Sequence, residues 1–297
     1  MLRRRPGRRD PLAAAACLPL LCCCLQALAQ PAPSSGAPEA PPRKSLKVCQ
    51  DPNNLPFSHE KQSGIENRVA ELFAKDLGLP VEYYNFPNKL SFIRNTLRYK
   101  LPGEDFRCDI VMGVPAGFDQ VAATQPYYRS TYALVYPKGG PLDGVQNQEG
   151  LLGLPQDKLK KLRIGLYDHT PAEQWLVKHG LVDQGVPYKL MNADADSYPG
   201  QLIDRDLAQG KLDAVIVWGP IAGYYAKQVK QPTLVVVPMR SEPGVRFDYA
   251  MAMGVRYGEP QWKQQIDSLI AKRRNDIRAI LQSFGVPLVE EGGAPAR

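Results

Sequence analysis

The sequence is poor in the residues that most enzymes use for catalysis. It has only three histidines, His59, His169 and His179, and no two of them have the spacing of metal ligands on one helix. It lacks a Gly-x-Ser-x-Gly elbow, a Walker loop and a Gly-x-Gly-x-x-Gly motif. We therefore predict that the protein is not an enzyme and that it uses no metal or cofactor.

Cysteine is scarce outside the amino-terminal segment. Four of the six cysteines, Cys17 and the run from Cys22 to Cys24, lie in an apolar stretch over residues 12–29, which follows five arginines in residues 1–9. This pattern predicts a cleavable secretory signal peptide over residues 1–29, too short to span a membrane, and a periplasmic location. Lipid attachment at Cys17 is a second interpretation, disfavoured because alanines precede it.

The basic excess is small once the predicted signal peptide is removed. The chain carries 37 lysines and arginines against 30 aspartates and glutamates, a net charge of +7; removing residues 1–29 subtracts five basic residues and one acidic residue and leaves +3. We therefore expect no nucleic-acid binding. Basic runs at residues 158–163 and 272–274 are interpreted as solvated surface, with docking of an acidic partner as the alternative. No later apolar run is long enough to predict a membrane span.

Two low-complexity segments limit the folded part of the chain. Residues 30–45 are rich in proline, serine and alanine and predict a disordered linker, and residues 288–297 predict a disordered tail. About 240 residues lie between them, enough for one large or two modest α/β domains.

Residues 108–136 contain two informative apolar runs. Residues 110–114 show no polar alternation, which is typical of a strand buried on both faces of a parallel sheet, and the turn after them would lie where open α/β sheets bind ligands. The aromatic and β-branched run at residues 131–136 predicts a long outgoing strand. The stretch fits either a crossing between two lobes or a single α/β domain.

Strand and helix patterns alternate on both sides of this stretch. Before it we predict a strand at 46–49, a helix at 65–77, a strand at 81–86 and a helix at 91–97, an order that implies a parallel sheet. After it we predict strands at 162–166, 212–218, 234–237 and 247–255, and one or two helices over 262–284.

Thr170 marks a predicted helix start. It stands before Pro171 and Glu173, the pattern of an N-cap followed by proline at the first helical position and a glutamate at the third. Such a helix start can bind an anion through its free backbone amides, although a simple cap is the alternative.

Only Cys49 and Cys108 remain in the predicted mature chain. Each borders a predicted buried strand, and neighbouring parallel strands would bring them within bonding distance. Two cysteines in an oxidising compartment pair more often than they stay free, so we predict a Cys49–Cys108 disulfide. Two buried thiols are the alternative.

Several motifs together resemble one protein family over residues 46–287. They are VCQDPNNLPFS (48–58), GIENR (64–68), IRNTL (93–97), CDIVMGVP (108–115), PYYRSTY (126–132) and VWGP (217–220). In this order they resemble the quinoprotein-dehydrogenase-associated branch of the type II periplasmic solute-binding proteins, the J proteins of methanol oxidation clusters (MxaJ or XoxJ type). The extended segment 99–105 favours the XoxJ type, which accompanies a lanthanide-dependent methanol dehydrogenase.

The resemblance implies an α/β fold of two lobes, with parallel-core sheets joined by two crossing strands. We expect lobe 1 to comprise residues 46–136 and 245–287, and lobe 2 residues 137–244. The cleft between them is expected to be lined from the carboxyl ends of strands and from helix starts. The predicted lining residues are Asn53, Phe57, Pro115, Tyr127, Tyr128, Thr170 and Trp218.

Two positions depart from the amino-acid receptors that share this fold. The arginine that clamps the ligand carboxylate in those receptors corresponds to Gly117, and the aspartate that receives the ligand ammonium corresponds to Trp218. A zwitterion desolvated without these partners would lose on the order of several kcal/mol. We therefore expect free amino acids not to bind tightly.

These observations give two hypotheses. The first is a monomeric accessory factor that binds a periplasmic PQQ-dependent methanol dehydrogenase and assists its maturation or activation, with the cytochrome c of that enzyme as a candidate second partner. The second is the substrate-binding protein of an ABC transporter for an uncharged or aromatic small solute. The resemblance favours the first hypothesis, whereas the fold alone favours the second.

Overall fold

The computed structural model describes residues 42–88, 91–190 and 197–290. The strands are β1 (Leu46–Gln50), β2 (Asn53–Asn54), β3 (Ser58–His59), β4 (Val81–Asn85), β5 (Ile110–Pro115), β6 (Ala122–Ala123), β7 (Tyr128–Pro137), β8 (Ile164–Tyr167), β9 (Gly185–Tyr188), β10 (Ala214–Trp218), β11 (Leu234–Pro238) and β12 (Asp248–Val255). The helices are α1 (Ile65–Leu77), α2 (Phe92–Asn95), α3 (Gln148–Leu152), α4 (Gln156–Leu159), α5 (Pro171–Lys178), α6 (Gly219–Gln228), α7 (Pro260–Lys272) and α8 (Arg274–Ser283).

Lobe 1 is built on a parallel core. Strand β1 pairs in parallel with β4 on one side and β5 on the other, and β12 runs antiparallel to β5. Helices α1, α7 and α8 cover one face, where Phe73, Trp262 and Ile277 are buried. Helix α1 forms as predicted because its apolar residues follow a helical stripe, and Gly78, in the left-handed conformation, ends it.

Lobe 2 repeats the plan, again with three parallel strands. Strand β8 pairs in parallel with β9 and β10, while β7 runs antiparallel to both β10 and β11. Trp175 of α5 is fully buried among apolar side chains from β8, β10 and the loop after β7.

Two crossing strands join the lobes. The first half of β7 pairs with β12, from Tyr128 opposite Met251 to Thr131 opposite Asp248, and its second half pairs with β10 and β11 of lobe 2. An ion pair of 2.6 Å between Arg129 and Asp248 fixes the crossing. The predicted two-lobe α/β fold with two crossing strands is confirmed. The division of the chain at residues 136 and 245 stays a prediction.

The predicted disulfide is confirmed. Cys49 and Cys108 are bonded, with their Cα atoms 5.3 Å apart, because β1 and β5 are neighbours in the sheet. Beside it lies a cluster of buried charges in which Arg256 pairs with Asp109 at 2.9 Å and with Glu259 at 2.7 Å. The Arg256 guanidinium also donates to the carbonyl of Cys108. The disulfide and the ion pairs therefore fasten the same corner of lobe 1.

The ends of the folded part differ from the predicted linker and tail. Arg43, expected in the linker, pairs with Glu259 at 2.7 Å and lies over the ring of Trp262 at 3.9 Å, so the chain is packed there. The predicted signal peptide and the linker up to residue 41 lie outside the described residues. At the other end, residues 288–290 were expected in the tail, but Leu288 forms a β-bridge with Ser130.

The carboxyl-terminal segment contacts the crossing strand β7 and helix α6 of lobe 2. Ser130 Oγ donates to the carbonyl of Pro287 at 2.7 Å, and Lys227 of α6 donates to the carbonyl of Ser283 at 3.0 Å. Gly223 of α6 lies so close to this segment that a Cβ atom on it would meet the Gly285 carbonyl oxygen at 1.8 Å. Only glycine permits this approach.

Several smaller elements were not predicted. The helix expected at 91–97 is shortened to α2, because Ser91 is left-handed and the Thr96 hydroxyl donates to the Phe92 carbonyl at 2.7 Å, closing the turn. The β2–β3 hairpin, β6, β9, α3, α4 and a π-helical turn at Leu202–Leu207 have patterns too short to predict. Among the described residues, no helix has the length and apolar character needed to cross a membrane.

Candidate functional site

A cavity of about 530 Å³ opens at the carboxyl ends of β1 and β5. Its wall comes almost wholly from lobe 1 and its crossing strand, and lobe 2 contributes Trp218. This position is where open α/β sheets bind ligands. The residues that line the cavity include Gln50, Asp51, Phe57, Glu66, Phe92, Gly113, Pro115, Phe118, Trp218 and Met251.

A buried network of amide side chains holds one wall of the cavity. Asn67 Nδ2 donates to Gln50 Oε1 at 2.7 Å, and Gln50 Nε2 donates to Asn85 Oδ1 at 2.7 Å. Asn67 Oδ1 in turn accepts from the backbone amides of His59 and Gly64. The start of α1 is thereby tied to the ends of β1 and β4, so this wall is rigid.

Gly64 lets the loop before α1 fold back onto the cavity. A Cβ atom at Gly64 would lie 2.2 Å from the carbonyl oxygen of Phe57, so only glycine fits. The same carbonyl accepts the backbone N–H of Glu66 at 2.8 Å. The close approach therefore places Phe57 and Glu66 side by side on the wall.

Glu66 is a buried carboxyl group at the base of the cavity. Its side chain is 8% exposed, and its Oε1 lies against Gly113, where a Cβ atom would approach it to 2.6 Å. Burial, with a contribution from Asp51, raises the pKa of Glu66 to about 8. In the described part of the chain, no hydrogen bond or ion pair reaches the Glu66 carboxyl group.

Asp51 is the other charged residue of the cavity wall. Its two carboxylate oxygens accept from the backbone amides of Asn53 at 2.8 Å and Asn88 at 2.6 Å. Among the described residues that line the cavity, none is basic. The described part of the wall therefore presents acidic groups and no basic side chain to pair with a carboxylate.

Trp218 faces the cavity from the junction of β10 and α6. The chain turns from strand to helix at this residue, since Pro220 lies in the first turn of α6. The indole makes edge contacts with Tyr132 of β7 at 5.6 Å and Tyr249 of β12 at 5.9 Å. These two tyrosines of the crossing strands hold the indole in place.

Solved structures of other proteins share this fold. The solved structure of the periplasmic binding protein XoxJ from Methylobacterium extorquens AM1 has 34% sequence identity and a TM-score of 0.66, and the match covers 83% of this chain and 100% of XoxJ. The chain belongs to the MxaJ/XoxJ-type family of periplasmic binding proteins. The family predicted from the sequence motifs is thereby confirmed.

Two further relatives agree with this membership of the MxaJ/XoxJ-type family. The solved structure of MxaJ from Methlophaga aminisulfidivorans MPT has 26% identity and a TM-score of 0.68, covering 82% of this chain and 100% of MxaJ. Protein MoxJ of Methylorubrum extorquens is 28% identical over 305 residues, covering 95% of this chain and 97% of MoxJ. No family model matches the sequence.

Three of the seven residues predicted to line the cleft of this MxaJ/XoxJ-type protein lie on the cavity wall: Phe57, Pro115 and Trp218. Asn53 is exposed beside the wall, and its neighbour Asn54 lines it instead. The two-residue strand β2 sets this alternation. A ligand-binding role for these residues stays a prediction.

Tyr127 and Tyr128 lie outside the wall. Their rings meet edge to face at 4.8 Å, and both pack into the core of lobe 1. Burial, with a contribution from Glu66, raises the pKa of Tyr128 well above its ordinary value. Burial, with contributions from Tyr128 and Glu66, likewise raises the pKa of Tyr127 well above its ordinary value.

Thr170 is also absent from the wall of this cavity. It precedes α5 as predicted, but its hydroxyl donates to the Tyr167 carbonyl at 2.6 Å and does not cap the helix. Glu173 accepts instead from the backbone N–H of His169 at 2.7 Å. Thr170 is therefore the N-cap residue, as predicted, but its hydroxyl bonds to the preceding strand and not to the helix amides.

The acidic residues of the site were not predicted from the sequence. Glu66 resembles an ordinary acidic residue in the first turn of a helix, and nothing in its spacing indicates burial. Asp51, by contrast, directly follows β1, where a ligand edge was predicted, and this position was a usable signal. Gly117 is exposed, with a φ of +81°, and does not line the cavity. Among the described residues, no group of acidic, histidine or cysteine side chains is placed to hold a metal ion.

Proposed function

We propose that the protein is a periplasmic accessory factor without enzymatic activity, which binds a PQQ-dependent methanol dehydrogenase of the lanthanide type and assists its maturation or activation. Its membership of the MxaJ/XoxJ-type family supports this proposal. The observation that carries it is the composition of the cavity wall, whose described residues include aromatic rings and two acidic groups but no basic side chain. Such a wall suits a segment of another protein better than a free amino acid.

The aromatic side chains supply most of the contact surface that such a segment would use. Phe57, Phe92 and Phe118 line the lobe 1 side, and Trp218 stands opposite them from lobe 2. Large rings provide contact area at little cost in side-chain entropy, and tryptophan is prominent among binding hot spots. Trp218 is therefore the residue to test first.

The experiment is co-expression of the partner dehydrogenase with the wild type, with Trp218→Ala, or with no accessory protein. Active enzyme per unit of dehydrogenase protein is measured in each culture. We expect the specific activity to fall severalfold in the culture without the accessory protein and in the Trp218→Ala culture. Tyr257→Ala is the matched control, because Tyr257 is an aromatic residue 64% exposed and outside the cavity.

The outcomes separate the role of the protein from the role of its cavity. Equal specific activity with and without the wild type would remove the accessory function. Equal activity with the wild type and with Trp218→Ala would leave the accessory function in place and remove the cavity from it.

Free amino acids provide a test against a nutrient-binding role. With Trp218 in the cleft and no basic residue in the described wall, the α-carboxylate of an amino acid would be buried beside Asp51 and Glu66 without a counter-charge. Calorimetric titration with the common amino acids should give no affinity in the micromolar range. Micromolar binding of any of them would favour the transporter-receptor hypothesis.

A further inference from the structure

The charge of the cavity has one sign. Asp51 and Glu66 are the charged side chains among the described residues of its wall, and both are acidic. The two differ in how they are satisfied. Asp51 accepts two backbone amides, whereas Glu66 is 92% buried and receives no hydrogen bond or ion pair within the described part of the chain.

A buried carboxyl group without a partner costs free energy, because it has lost its water and gained nothing in exchange. The fold does not relieve this cost at Glu66. Gly113, which has a φ of +70°, leaves the space beside Glu66 Oε1 that any other residue would fill, and Gly113 itself lines the cavity. The arrangement keeps the carboxyl group accessible from the cavity alone.

We propose that the cavity binds a cationic group, an ammonium or a guanidinium on an apolar stem, and that Glu66 is its counter-charge. The inference rests on the proposed function in placing that group on a lysine or arginine side chain of the bound protein segment. The rings of Phe57, Phe118 and Trp218 offer apolar and π surface for the stem and the charge.

Proton release is the signature of such a site. Glu66, with its pKa raised to about 8, carries a proton at neutral pH and must lose it when a cation binds. The charged group that acts on Glu66 is Asp51, while the neighbouring Tyr127 and Tyr128 stay neutral because burial raises their pKa values. Affinity for the cation should therefore rise roughly tenfold per pH unit between pH 6 and pH 8.

The test is calorimetric titration of the purified protein with N-acetyl-lysine amide and with its neutral analogue N-acetyl-norleucine amide. At pH 8 we expect the lysine compound to bind at least tenfold more tightly. Glu66→Gln should abolish the difference. Glu71→Gln is the matched control, since Glu71 lies on the same helix but is exposed, and it should preserve the difference.

A second measurement needs no variant. Titration of the wild type at pH 7 in buffers of different ionisation enthalpy should show release of close to one proton for each lysine compound bound. Equal affinity for the lysine and norleucine compounds, an unchanged preference in Glu66→Gln, or binding without proton release would overturn the inference.

A further titration with n-butylamine distinguishes the source of the cation. Tighter binding of the capped lysine assigns the site to a protein segment, and equal binding assigns it to a free amine. Failure of the cation site does not touch the accessory function, because co-expression measures that separately. Conversely, lysine-selective binding without any effect on dehydrogenase activity would end the accessory role and keep the cation site.

Discussion

The two lobes are stabilised internally by different interactions. Lobe 1 is cross-linked by the Cys49–Cys108 disulfide and by the buried pairs of Arg256 with Asp109 and Glu259. Lobe 2 relies on an apolar core around Trp175, whose indole N–H has no hydrogen-bond partner in the described structure. The covalent link therefore lies in the lobe that supplies most of the cavity wall, while lobe 2 has ion pairs such as that of Lys178 with Glu242 at 2.7 Å.

The two lobes contribute different groups to the cleft. The carboxyl groups and the amide network belong to lobe 1, where two backbone amides hold Asp51 and the disulfide is adjacent to Gln50. Lobe 2 contributes one indole ring. A partner segment would therefore meet the acidic groups and phenylalanine rings of lobe 1 and the single indole ring of lobe 2. Four sets of substitutions test how far the two lobes differ.

The largest effect is expected from Trp175→Ala. This side chain is fully buried, with 0% exposure. Its removal leaves a cavity in lobe 2 and should lower the free energy of unfolding by about 5 kcal/mol. Urea denaturation provides the measurement. Val177→Ala, on the same helix but 60% exposed, should cost under about 0.5 kcal/mol. Similar costs for the two variants would contradict an apolar core centred on Trp175.

The second effect concerns the disulfide. Replacing Cys49 and Cys108 together by serine opens a loop of 59 residues and should lower the free energy of unfolding by about 4 kcal/mol in the chain-entropy account. Denaturation of the wild type with and without dithiothreitol is the control and should give a comparable loss. A loss under about 1 kcal/mol would show that the ion pairs alone suffice at this corner of lobe 1.

The third effect depends on pH. Because the folded state raises the pKa of Glu66 to about 8, Glu66 stabilises the protein most below pH 4.5, and that contribution is lost as the pH rises through 8. Between pH 5 and pH 9 the wild type should lose on the order of 3 kcal/mol relative to Glu66→Gln. Urea denaturation at both pH values measures this, with Glu71→Gln as control. Parallel pH profiles for the wild type and Glu66→Gln would contradict the buried, unpartnered state of Glu66.

The smallest effect is expected at the start of the folded region. Arg43→Met removes the pair with Glu259 and the stacking on Trp262, and should cost about 1 kcal/mol. Lys44→Met, at an exposed neighbouring position, should be neutral in the same denaturation experiment. If Arg43→Met also leaves the free energy of unfolding unchanged, residues 42–45 contribute no stability, as expected of a linker.

Local pattern was enough to predict the longer elements and their order, but not the short ones such as β2, β6 and α3. Helix α1 follows from its apolar stripe and Gly78, and the disulfide follows from two cysteines beside buried strands. The direction of side chains at the ligand edge could not be predicted in the same way. Tyr127 and Tyr128 stand at the predicted edge but turn into the core, because β12 pairs with Tyr128 from a segment more than 100 residues away.

The position of Glu66 on the cavity wall depends on equally distant residues. Its burial requires Gly113 on β5 and the loop folded back at Gly64, and no periodicity within α1 encodes either contact. Trp218 was predicted because it ends a buried strand at a helix start, a signal that local sequence carries completely. Prediction therefore succeeded where a residue's role is set by its own segment.

The segment that follows α8 has a mechanical consequence. Because Pro287 and Leu288 bond to Ser130 of a crossing strand, while Ser283 and Gly285 contact α6 of lobe 2, the chain ties the lobes together a third time. Two connecting strands alone would let the lobes rotate about them. The third connection should limit this rotation. The cleft is accordingly expected to admit its partner by small adjustments of Trp218 and not by wide opening of the lobes.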